Sequence, residues 1–161
     1  MANQMASEPV CEWRRDGYII STDPARLDVE LLHRILSDEA PWVAGIPREG
    51  IAVATEHSLM FGLYTEQGRL IGFARVVTDY ATIAWIPDVV VIPEYRGHGL
   101  GRWLVETVLD HPSFARVRRW LLASRSARGL YAKLDFEPLP HPEWFMERWN
   151  PAGYGLSTPS A

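Results

Sequence analysis

The hydrophobic residues in the middle of this chain alternate with polar ones or form short β-branched runs, which is typical of β-strands. Three such runs follow one another with short polar turns between them, and this arrangement predicts an antiparallel meander. The predicted strands are Ser58–Tyr64, Leu70–Thr78 and Ala81–Ile92, the last of them the longest. Gly72 is a candidate bulge, and Pro87 predicts another because proline donates no hydrogen bond to a ladder.

Helical periodicity follows the meander. Leu100–Asp110 and Ala127–Leu134 carry apolar residues at helical spacing, and the apolar run Arg119–Ala123 between them predicts a strand. A strand–helix–strand–helix unit favours parallel pairing between the two strands that flank its first helix. Beyond it, Phe136–Leu139 and Glu143–Trp149 predict a closing pair of strands.

The N-terminal part predicts one strand and two helices. Tyr18–Thr22 is the strand, and Thr22 or Asp23 is the predicted cap of a first helix that ends near Pro41. The segment Arg48–His57 has a weaker helical pattern and predicts a second helix. Between the two helices, prolines and glycines predict an irregular loop.

Together these elements predict an α+β fold, with a mixed, mostly antiparallel central sheet of six to seven strands flanked by about four helices. The 161 residues contain no dividing linker and no internal repeat, which predicts a single domain over residues 1–161. Its core spans about residues 17–149, and residues 1–15 and 150–161 are expected to be flexible.

Composition excludes several classes of protein. The net charge of −4 and the pI of about 5.7 argue against a nucleic-acid partner. A single cysteine, Cys11, excludes an internal disulfide, and no metal is expected because no His, Cys, Asp and Glu cluster has ligand spacing. No signal peptide and no apolar run near ~18 residues is present, so we expect a cytoplasmic protein without a membrane partner.

The stretch from Asp88 to Leu104 joins an apolar strand, a stop at Pro93 and a glycine-rich turn that leads into a helical pattern. This arrangement presents backbone N–H groups to an anion, because the first turn of a helix has unpaired donors and a partial positive charge. Gly97 and Gly99 let ligand oxygens come close. A Walker-type phosphate loop is excluded because Lys-Ser and Lys-Thr are missing, and a dinucleotide fingerprint because position 102 is arginine.

The same stretch resembles the acetyl-CoA loop of the GNAT superfamily of N-acetyltransferases. The family pattern is Arg or Gln, any two residues, Gly, any residue, and Gly or Ala, and Arg96, Gly99 and Gly101 occupy its positions. The order of elements over residues 17–149 also resembles the acyl-CoA N-acyltransferase fold of that family. The resemblance implies acetyl-CoA as cofactor, with its pyrophosphate held by the loop residues Arg96, Gly97, His98, Gly99, Leu100, Gly101 and Arg102. A turn that binds nothing is the alternative, although such a turn needs one glycine rather than three.

In that family the strand before the loop splays from its neighbour, and the resemblance implies the same here. The freed N–H and C=O groups of Val89, Val90 and Val91 would pair with the amide-rich arm of the cofactor, as an added strand does. Asp88 stands where many members carry an acidic residue that takes the amine proton, directly or through water. A carboxylate that only hydrogen-bonds the backbone of a loop is an equally open alternative.

The segment from Gly129 to Phe136 resembles a later motif of the family. Tyr131 stands at the position of a tyrosine whose hydroxyl lies near the cofactor sulfur, which implies that it binds the cofactor and protonates the departing thiolate. A core tyrosine is the alternative. The chain departs from the motif at Asp135, which replaces a glycine, and at Ser124, which stands where a cofactor-binding asparagine is frequent.

The implied function is an acetyl-CoA-dependent N-acetyltransferase that transfers the acetyl group directly to a primary amine. Asp88 and Tyr131 are its implied catalytic residues, and an N–H near Val90 or Val91 would polarise the carbonyl oxygen. Trp42 and His57 lie in segments that shape the acceptor pocket in relatives. A non-catalytic CoA-binding regulatory domain is the alternative function. The acceptor is a small-molecule or peptide amine that the sequence does not identify, and a homodimer is left open.

Overall fold

The computed structural model describes residues 9–150 and 152–154, which form one mixed sheet flanked by helices. The strands are β1 (Glu12–Arg15), β2 (Tyr18–Ser21), β3 (Leu59–Thr65), β4 (Leu70–Thr78), β5 (Ile83–Val91) and β6 (Arg119–Leu122). The helices are α1 (Val29–Glu39), α2 (Arg48–Glu56), α3 (Leu100–Leu109) and α4 (Arg128–Ala132). None of the helices in these residues has the length and hydropathy needed to cross a bilayer.

Strands that are neighbours in the sheet are also neighbours along the chain, in the order β1-β2-β3-β4-β5-β6. β1 to β5 pair antiparallel, whereas β6 runs parallel to β5, and α3 makes the crossover between those two. The prediction of an α+β fold with a mixed, mostly antiparallel sheet of six to seven strands and about four helices is therefore confirmed.

The first strand lies where a flexible segment was expected. Glu12–Arg15 pairs antiparallel with β2, so the expectation for residues 1–15 is wrong over this stretch. Trp13 supplies the reason, because its ring stacks on Phe61 with the centroids 6.1 Å apart. Partial burial of this large apolar side chain offsets entropy lost in ordering the strand. Residues 1–8 lie outside the described part of the chain.

The first long helix begins later than predicted. Asp23 caps only a single 3-10 turn, Pro24–Arg26, by accepting a backbone N–H of that turn at 2.9 Å. α1 has its own cap, because Asp28 Oδ1 accepts the N–H of Leu31 at 3.1 Å. The predicted cap at position 22 or 23 is therefore wrong for α1. Two aspartates lie close together in this stretch, and each can cap a helical turn.

The sheet separates two hydrophobic layers. α3 covers one face, where Leu104 and Val108 pack with Phe61, Ile71 and Val76 of the central strands. α1 and α2 cover the other face, and together with the sheet they bury a second cluster that includes Leu32, Ile35, Leu36, Ile51, Phe73 and Val90. Because both faces are covered, the central strands β3 and β4 are buried along most of their length.

β5 contains the bulge that Pro87 predicts. Val77 pairs with Trp85, and Arg75, two residues earlier in β4, pairs with Asp88, so β5 has one residue more than β4 between these pairs. A bulge of this kind takes the proline out of the regular ladder, in which it has no N–H to donate. The predicted bulge is confirmed.

Gly72 lies beside a second irregularity in the sheet. The register of β3 against β4 shifts between Leu63 and Tyr64, which leaves one extra residue in β4 next to Gly72. A Cβ on Gly72 would lie 2.5 Å from the carbonyl oxygen of Val90. Glycine is therefore required for the close approach of β4 to β5, and the bulge predicted here is also confirmed.

The closing pair of strands predicted at residues 136–139 and 143–149 is wrong. Between α4 and Asn150 the described chain has one 3-10 turn, Pro142–Trp144, and no strand. Prolines at 138, 140 and 142 lack the N–H that a hairpin ladder needs. α4 is also shorter than predicted. In the expected C-terminal flexible segment, residues 152–154 form a turn, and 151 and 155–161 lie outside the described residues.

Candidate active site

The glycine-rich turn leads directly into α3. Gly97 and Gly99 have φ angles of 80° and 74°, in the left-handed region that favours glycine, and Gly99 caps the helix. The first hydrogen bond within α3 runs from the N–H of Trp103 to the Gly99 carbonyl at 3.0 Å, so the N–H groups of residues 100–102 lie at the open end of the helix. No atom lies within 4 Å of the place where a Cβ of either glycine would stand. The turn is thus an open cradle of backbone donors.

The charged side chains of the turn are paired within the protein. Arg96 donates from Nε to the Val91 carbonyl at 2.7 Å, and its guanidinium forms an ion pair with Glu39. Arg102 pairs with a glutamate one helical turn further on at 2.7 Å. The His98 ring lies 3.3 Å from a carbonyl oxygen of the preceding turn. An anion at this turn would therefore meet the backbone amides as its first donors.

Three elements meet at Gly101. A Cβ on this residue would lie 3.8 Å from Leu130 of α4 and 3.9 Å from Val91 at the end of β5. Leu130 immediately precedes Tyr131, and Leu100 is buried, which holds the start of α3 against the core. The structure therefore brings together the glycine turn, the end of β5 and the helix that carries Tyr131.

The backbone groups of the three valines do not all face the same way. The N–H of Ile92 donates to β4 at 2.9 Å, and the carbonyl of Val90 lies against β4 as well. Because backbone groups point to alternate sides along a strand, those of Val89 and Val91 point away from β4. The carbonyl of Val91 accepts Arg96, so its N–H and the groups of Val89 are the ones available to a ligand on that side.

The pairing of β5 with β6 stops before the valines. Residues 83–86 of β5 pair with residues 119–122, and the last pair lies just before Pro87. β5 continues to Val91 without β6 beside it, so the sheet is open on the side to which Val89 and Val91 turn their backbone groups. The opening implied by the resemblance is observed, and it begins at the bulge.

Tyr131 lines a groove of about 620 Å³ between β6 and residues 136–139. Its ring packs edge-on against Phe136 with the centroids 5.8 Å apart, and burial raises the pKa of its hydroxyl above the ordinary value. A phenol with the ordinary pKa of about 10 keeps its proton at neutral pH, and burial favours this protonated form further. Ser124 lines the same groove, and its Oγ accepts the N–H of Ala127 at 3.0 Å. Asp135, with φ at 62°, takes the left-handed conformation expected where the family has glycine.

Asp88 faces the other layer of the protein and is only 2% exposed. Its Oδ2 accepts Nε of Arg75 at 2.6 Å, and its Oδ1 accepts the indole N–H of Trp42 at 2.8 Å. Arg75 also donates to the hydroxyl of Ser58 at 3.2 Å. Asp88 and Arg75 line a cavity of about 20 Å³, room for one water, whose other walls are mostly apolar. Asp88 thus ties β4 to the turn that carries Trp42.

The sequence motifs pointed to Asp88 but not to its partner Arg75. A charged residue inside an otherwise apolar strand needs a partner of opposite charge, so the position of Arg75 could have predicted an acidic neighbour. The register of β4 against β5, which decides that neighbour, was harder to predict. If the pairing of Val77 with Trp85 continued without a bulge, Arg75 would face Pro87, and Asp88 would point to the opposite side of the sheet. The bulge therefore creates the ion pair.

The predicted site residues form two groups on opposite faces of the sheet. The glycine turn, Val89, Val91, Ser124 and Tyr131 lie toward the layer of α3 and α4. Asp88 lies toward α1 and α2, together with Trp42, and His57 ends α2. The part of β5 that has no strand beside it lies between these groups.

Comparison with known proteins identifies relatives of the whole domain. The model of the acetyltransferase (GNAT) family matches residues 10–136. The candidate acetyltransferase FG08082 of Gibberella zeae is 30% identical in an alignment of 140 residues that covers 75% of this chain and 79% of that protein. The chloroplastic GCN5-related N-acetyltransferase 2 of Arabidopsis thaliana is 34% identical in an alignment of 146 residues that covers 76% of this chain and 55% of that longer protein.

Solved structures share the same architecture. The protein xcc2953 of Xanthomonas campestris, described as belonging to the GNAT family, is 41% identical, with a TM-score of 0.81 over 89% of this chain and 100% of that chain. The glucosamine-6-phosphate N-acetyltransferase of Arabidopsis thaliana has a TM-score of 0.57 at 15% identity, over 83% of this chain and 99% of that chain. The second likeness concerns the fold alone.

Proposed function

This chain belongs to the GNAT family of acetyltransferases, and we propose that it moves an acetyl group from acetyl-CoA directly to a primary amine, without a covalent enzyme intermediate. Family membership carries the general activity, acetyl-CoA-dependent N-acetyl transfer. The direct route, the acceptor and the residue roles are the proposal. One observation supports it above the others: Gly101 joins the open glycine turn, the end of β5 and the helix of Tyr131.

The residues of the turn fit acetyl-CoA, whose pyrophosphate is an anion. Gly97 and Gly99 leave open space where side chains would stand, and the first amides of α3 face that space. Residues 96–102 would hold the pyrophosphate, and the outward backbone groups of Val89 and Val91 would pair with the amide-rich arm. When bound, acetyl-CoA supplies a thioester carbon that an amine can attack.

Each chemical role in the transfer has a candidate group in this chain. The N–H of Val91, which faces the open side, can donate to the carbonyl oxygen of the thioester as negative charge develops on it, whereas the backbone groups of Val90 face β4. A phenol, with an ordinary pKa of about 10, is protonated at neutral pH, and burial raises the pKa of Tyr131 further, so this residue can give its proton to the departing sulfur. Asp88 can take the proton of the amine, directly or through the water for which its cavity has room.

The contacts of Asp88 support an anchoring role as well as a catalytic one. Its two oxygens accept from Arg75 and Trp42, and these bonds hold the turn that carries Trp42 against β4. A carboxylate oxygen has two lone pairs, so each oxygen of Asp88 keeps one for a proton or a water. The two roles lead to different pH dependences.

Asp88→Asn is expected to lower kcat/KM roughly 100-fold at pH 7 if Asp88 takes the amine proton. Part of that loss should return as the pH rises toward about 10.4, where an alkylamine loses its proton without help. The measurement is the pH–rate profile of both proteins. Trp42→Phe is the matched control for anchoring, because it keeps a ring and removes the donor to Asp88. A loss in Asp88→Asn that stays constant with pH, like that of Trp42→Phe, would assign Asp88 to anchoring.

Acetyl-CoA at 100 times its Kd is expected to stabilise the protein by about 2.7 kcal/mol, since it binds only the folded state. The rise in Tm in a thermal scan measures this effect, with NAD and ATP as control ligands. Gly99→Val should remove the response because a branched side chain would fill the open space of the turn.

Gly68→Val is the matched control for backbone strain. Gly68 lies in the β3–β4 hairpin with φ at 87° and has no atom within 4 Å of its Cβ position, like Gly99. Both variants should lose stability, but only Gly99→Val should lose the response to acetyl-CoA. A normal response in Gly99→Val would move the cofactor site away from this turn.

The alternative of a non-catalytic CoA-binding domain is not supported, because the matched family and the matched relatives are acetyltransferases. A thiol-release assay tests the proposed acceptor class directly. A panel of small-molecule and peptide amines should contain at least one that accelerates the release of CoA from acetyl-CoA. Acceleration by alcohols and not by primary amines would contradict the proposed acceptor.

A further inference from the structure

A buried ion pair lies in the wall of an otherwise apolar cavity. The cavity of about 20 Å³ lies between α1, α2 and the sheet, and Arg75 and Asp88 belong to its walls. The other walls are almost entirely hydrocarbon and include Leu32, Leu36, Val43, Ile46, Met60 and Phe73. A molecule that enters this cavity would therefore place its polar groups against the ion pair and its apolar groups against the remaining walls.

Arg75 has more hydrogen-bond donors than its neighbours use. A guanidinium has five N–H donors. In the described part of the chain, the hydrogen bonds of Arg75 run from Nε to Asp88 and from Nη1 to Ser58, so neither N–H of Nη2 takes part in them. A carboxylate is the group that suits these donors best, because a charge-assisted hydrogen bond is stronger than a neutral one.

Trp42 occupies a position that an amine can take. Its indole N–H donates to Oδ1 of Asp88 at 2.8 Å, although the residue is 52% exposed. The turn that carries it, Pro41–Val43, lies between α1 and α2, and Val43 of the same turn lines the cavity. An amine that donates to Oδ1 would replace the indole N–H. Outward movement of this turn would then enlarge the cavity, which otherwise has room for one water.

We propose that the acceptor is a free α-amino acid with an aliphatic side chain. Its amine would donate to Asp88 in place of Trp42, its carboxylate would bind Nη2 of Arg75, and its side chain would lie against the apolar walls. The charges support this class over a simple amine. Those of Arg75 and Asp88 sum to zero, so a zwitterion keeps the cavity neutral, whereas an alkylammonium ion adds an uncompensated charge to apolar surroundings.

This inference rests on the proposed function, in which Asp88 takes the amine proton. The acceptor's carboxylate would keep Arg75 paired when Asp88 becomes protonated, so no buried charge is left alone. The acceptor's nitrogen bonds to the thioester carbon as the carbon–sulfur bond breaks. The ammonium group loses two protons in all: Asp88 passes one to solvent, and the other replaces the proton that Tyr131 gives to the sulfur. The products are an N-acetylamino acid and the thiol form of CoA.

A thiol-release assay compares leucine, valine and methionine with their amides, which keep the amine and the side chain but lack the carboxylate. We expect kcat/KM to be about 100-fold higher for at least one of these amino acids than for its amide. The ammonium group of an amide is the more acidic, so its larger neutral fraction favours the amide and works against the expected result. If no amino acid is preferred over its amide, the inference is wrong, and acetylation of any amine in the panel would still support the proposed function.

Binding without reaction separates the inference from the proposed function. The same compounds are added to protein saturated with CoA, which has no acetyl group to transfer, and the Tm is measured. We expect an amino acid to raise the Tm and its amide to leave it unchanged. Binding in this experiment without CoA release from acetyl-CoA in the first would support the site and contradict the reaction. Neither binding nor CoA release with any of the three amino acids would overturn the site.

Ala54→Leu tests where the acceptor's side chain lies. Ala54 lines the cavity from α2, so a larger side chain at this position would take the room of the acceptor's side chain. The kcat/KM for leucine should fall at least about tenfold, and that for glycine much less, because glycine has no side chain to exclude. Ala52→Leu is the matched control, since Ala52 lies on the same helix but does not line the cavity. Equal losses for leucine and glycine in Ala54→Leu, or no loss for either, would overturn this placement.

Discussion

Arg75→Met is expected to lower the free energy of unfolding by about 3–5 kcal/mol, the usual cost of leaving one partner of a buried ion pair without the other. The pair is well buried, with side-chain exposures of 17% for Arg75 and 2% for Asp88. Its short 2.6 Å contact would be lost, and the carboxylate would keep only the Trp42 indole as a donor. Urea unfolding at neutral pH measures the change through the midpoint, provided that the m-value stays constant.

Two controls show whether burial is the cause. Arg102→Met breaks the exposed pair with Glu106, in which the arginine side chain is 52% exposed, and should change stability by no more than about 0.5 kcal/mol. The double variant Arg75→Met with Asp88→Leu removes both charges and should recover most of the loss. If Arg75→Met is as mild as Arg102→Met, the pair does not hold β4 and β5 together.

Tyr131→Phe is expected to lower kcat/KM about 100-fold, the low end for removal of a general acid, because a thiolate leaves fairly well unaided. The ring would still pack edge-on against Phe136, so the fold and the affinity for acetyl-CoA should change little. Tyr18→Phe is the matched control, since Tyr18 lies in β2, three strands away from β5. Steady-state kinetics with a saturating amine measure both variants.

The pH dependence of the rate shows whether the lost activity of Tyr131→Phe comes from the missing phenol proton. The ordinary pKa of a phenol is about 10 and burial raises that of Tyr131, so the phenol is protonated through the neutral range and its contribution is present there. Above about pH 8.5, the ordinary pKa of a thiol, the thiolate is a stable product and needs no donor. The ratio of parent to Tyr131→Phe rates should therefore be largest at low pH and fall as the pH rises. Equal activity of the two proteins at every pH would make Tyr131 a packing residue.

The elements that follow a strong local pattern could be predicted from the sequence. The mostly apolar run of β4 and the helical spacing in α3 are strong local patterns, and both elements lie within a residue of their predicted bounds. Pro87 predicted the bulge in β5 because proline has no N–H to donate to the hydrogen bonds between strands. Asp135 was expected to tolerate a left-handed conformation, and it has φ at 62°.

The parts that depend on distant contacts could not be predicted in the same way. β1 is mostly polar, and what orders it is the contact of Trp13 with Phe61, which is about fifty residues away in the chain. The last two predicted strands have a suitable apolar pattern, but a strand also needs a partner strand. The simplest partner for each would be the other, in a hairpin, and the prolines between them prevent that hairpin. The partner of Asp88 depended on a one-residue shift of register, which a pattern of apolar residues does not reveal.

The sheet order has a consequence for biosynthesis. Strands β1 to β5 pair in the order in which they are made, so the meander can form while the ribosome is still translating the rest. The face of the meander that carries Phe61 and Ile71, however, stays uncovered until Leu104 and Val108 of α3 have been made. At roughly 5–20 residues per second, the stretch from the end of β5 to the end of α3 takes about one to four seconds to synthesise. During that interval the nascent chain exposes a broad apolar surface, and we expect chaperones to bind it there.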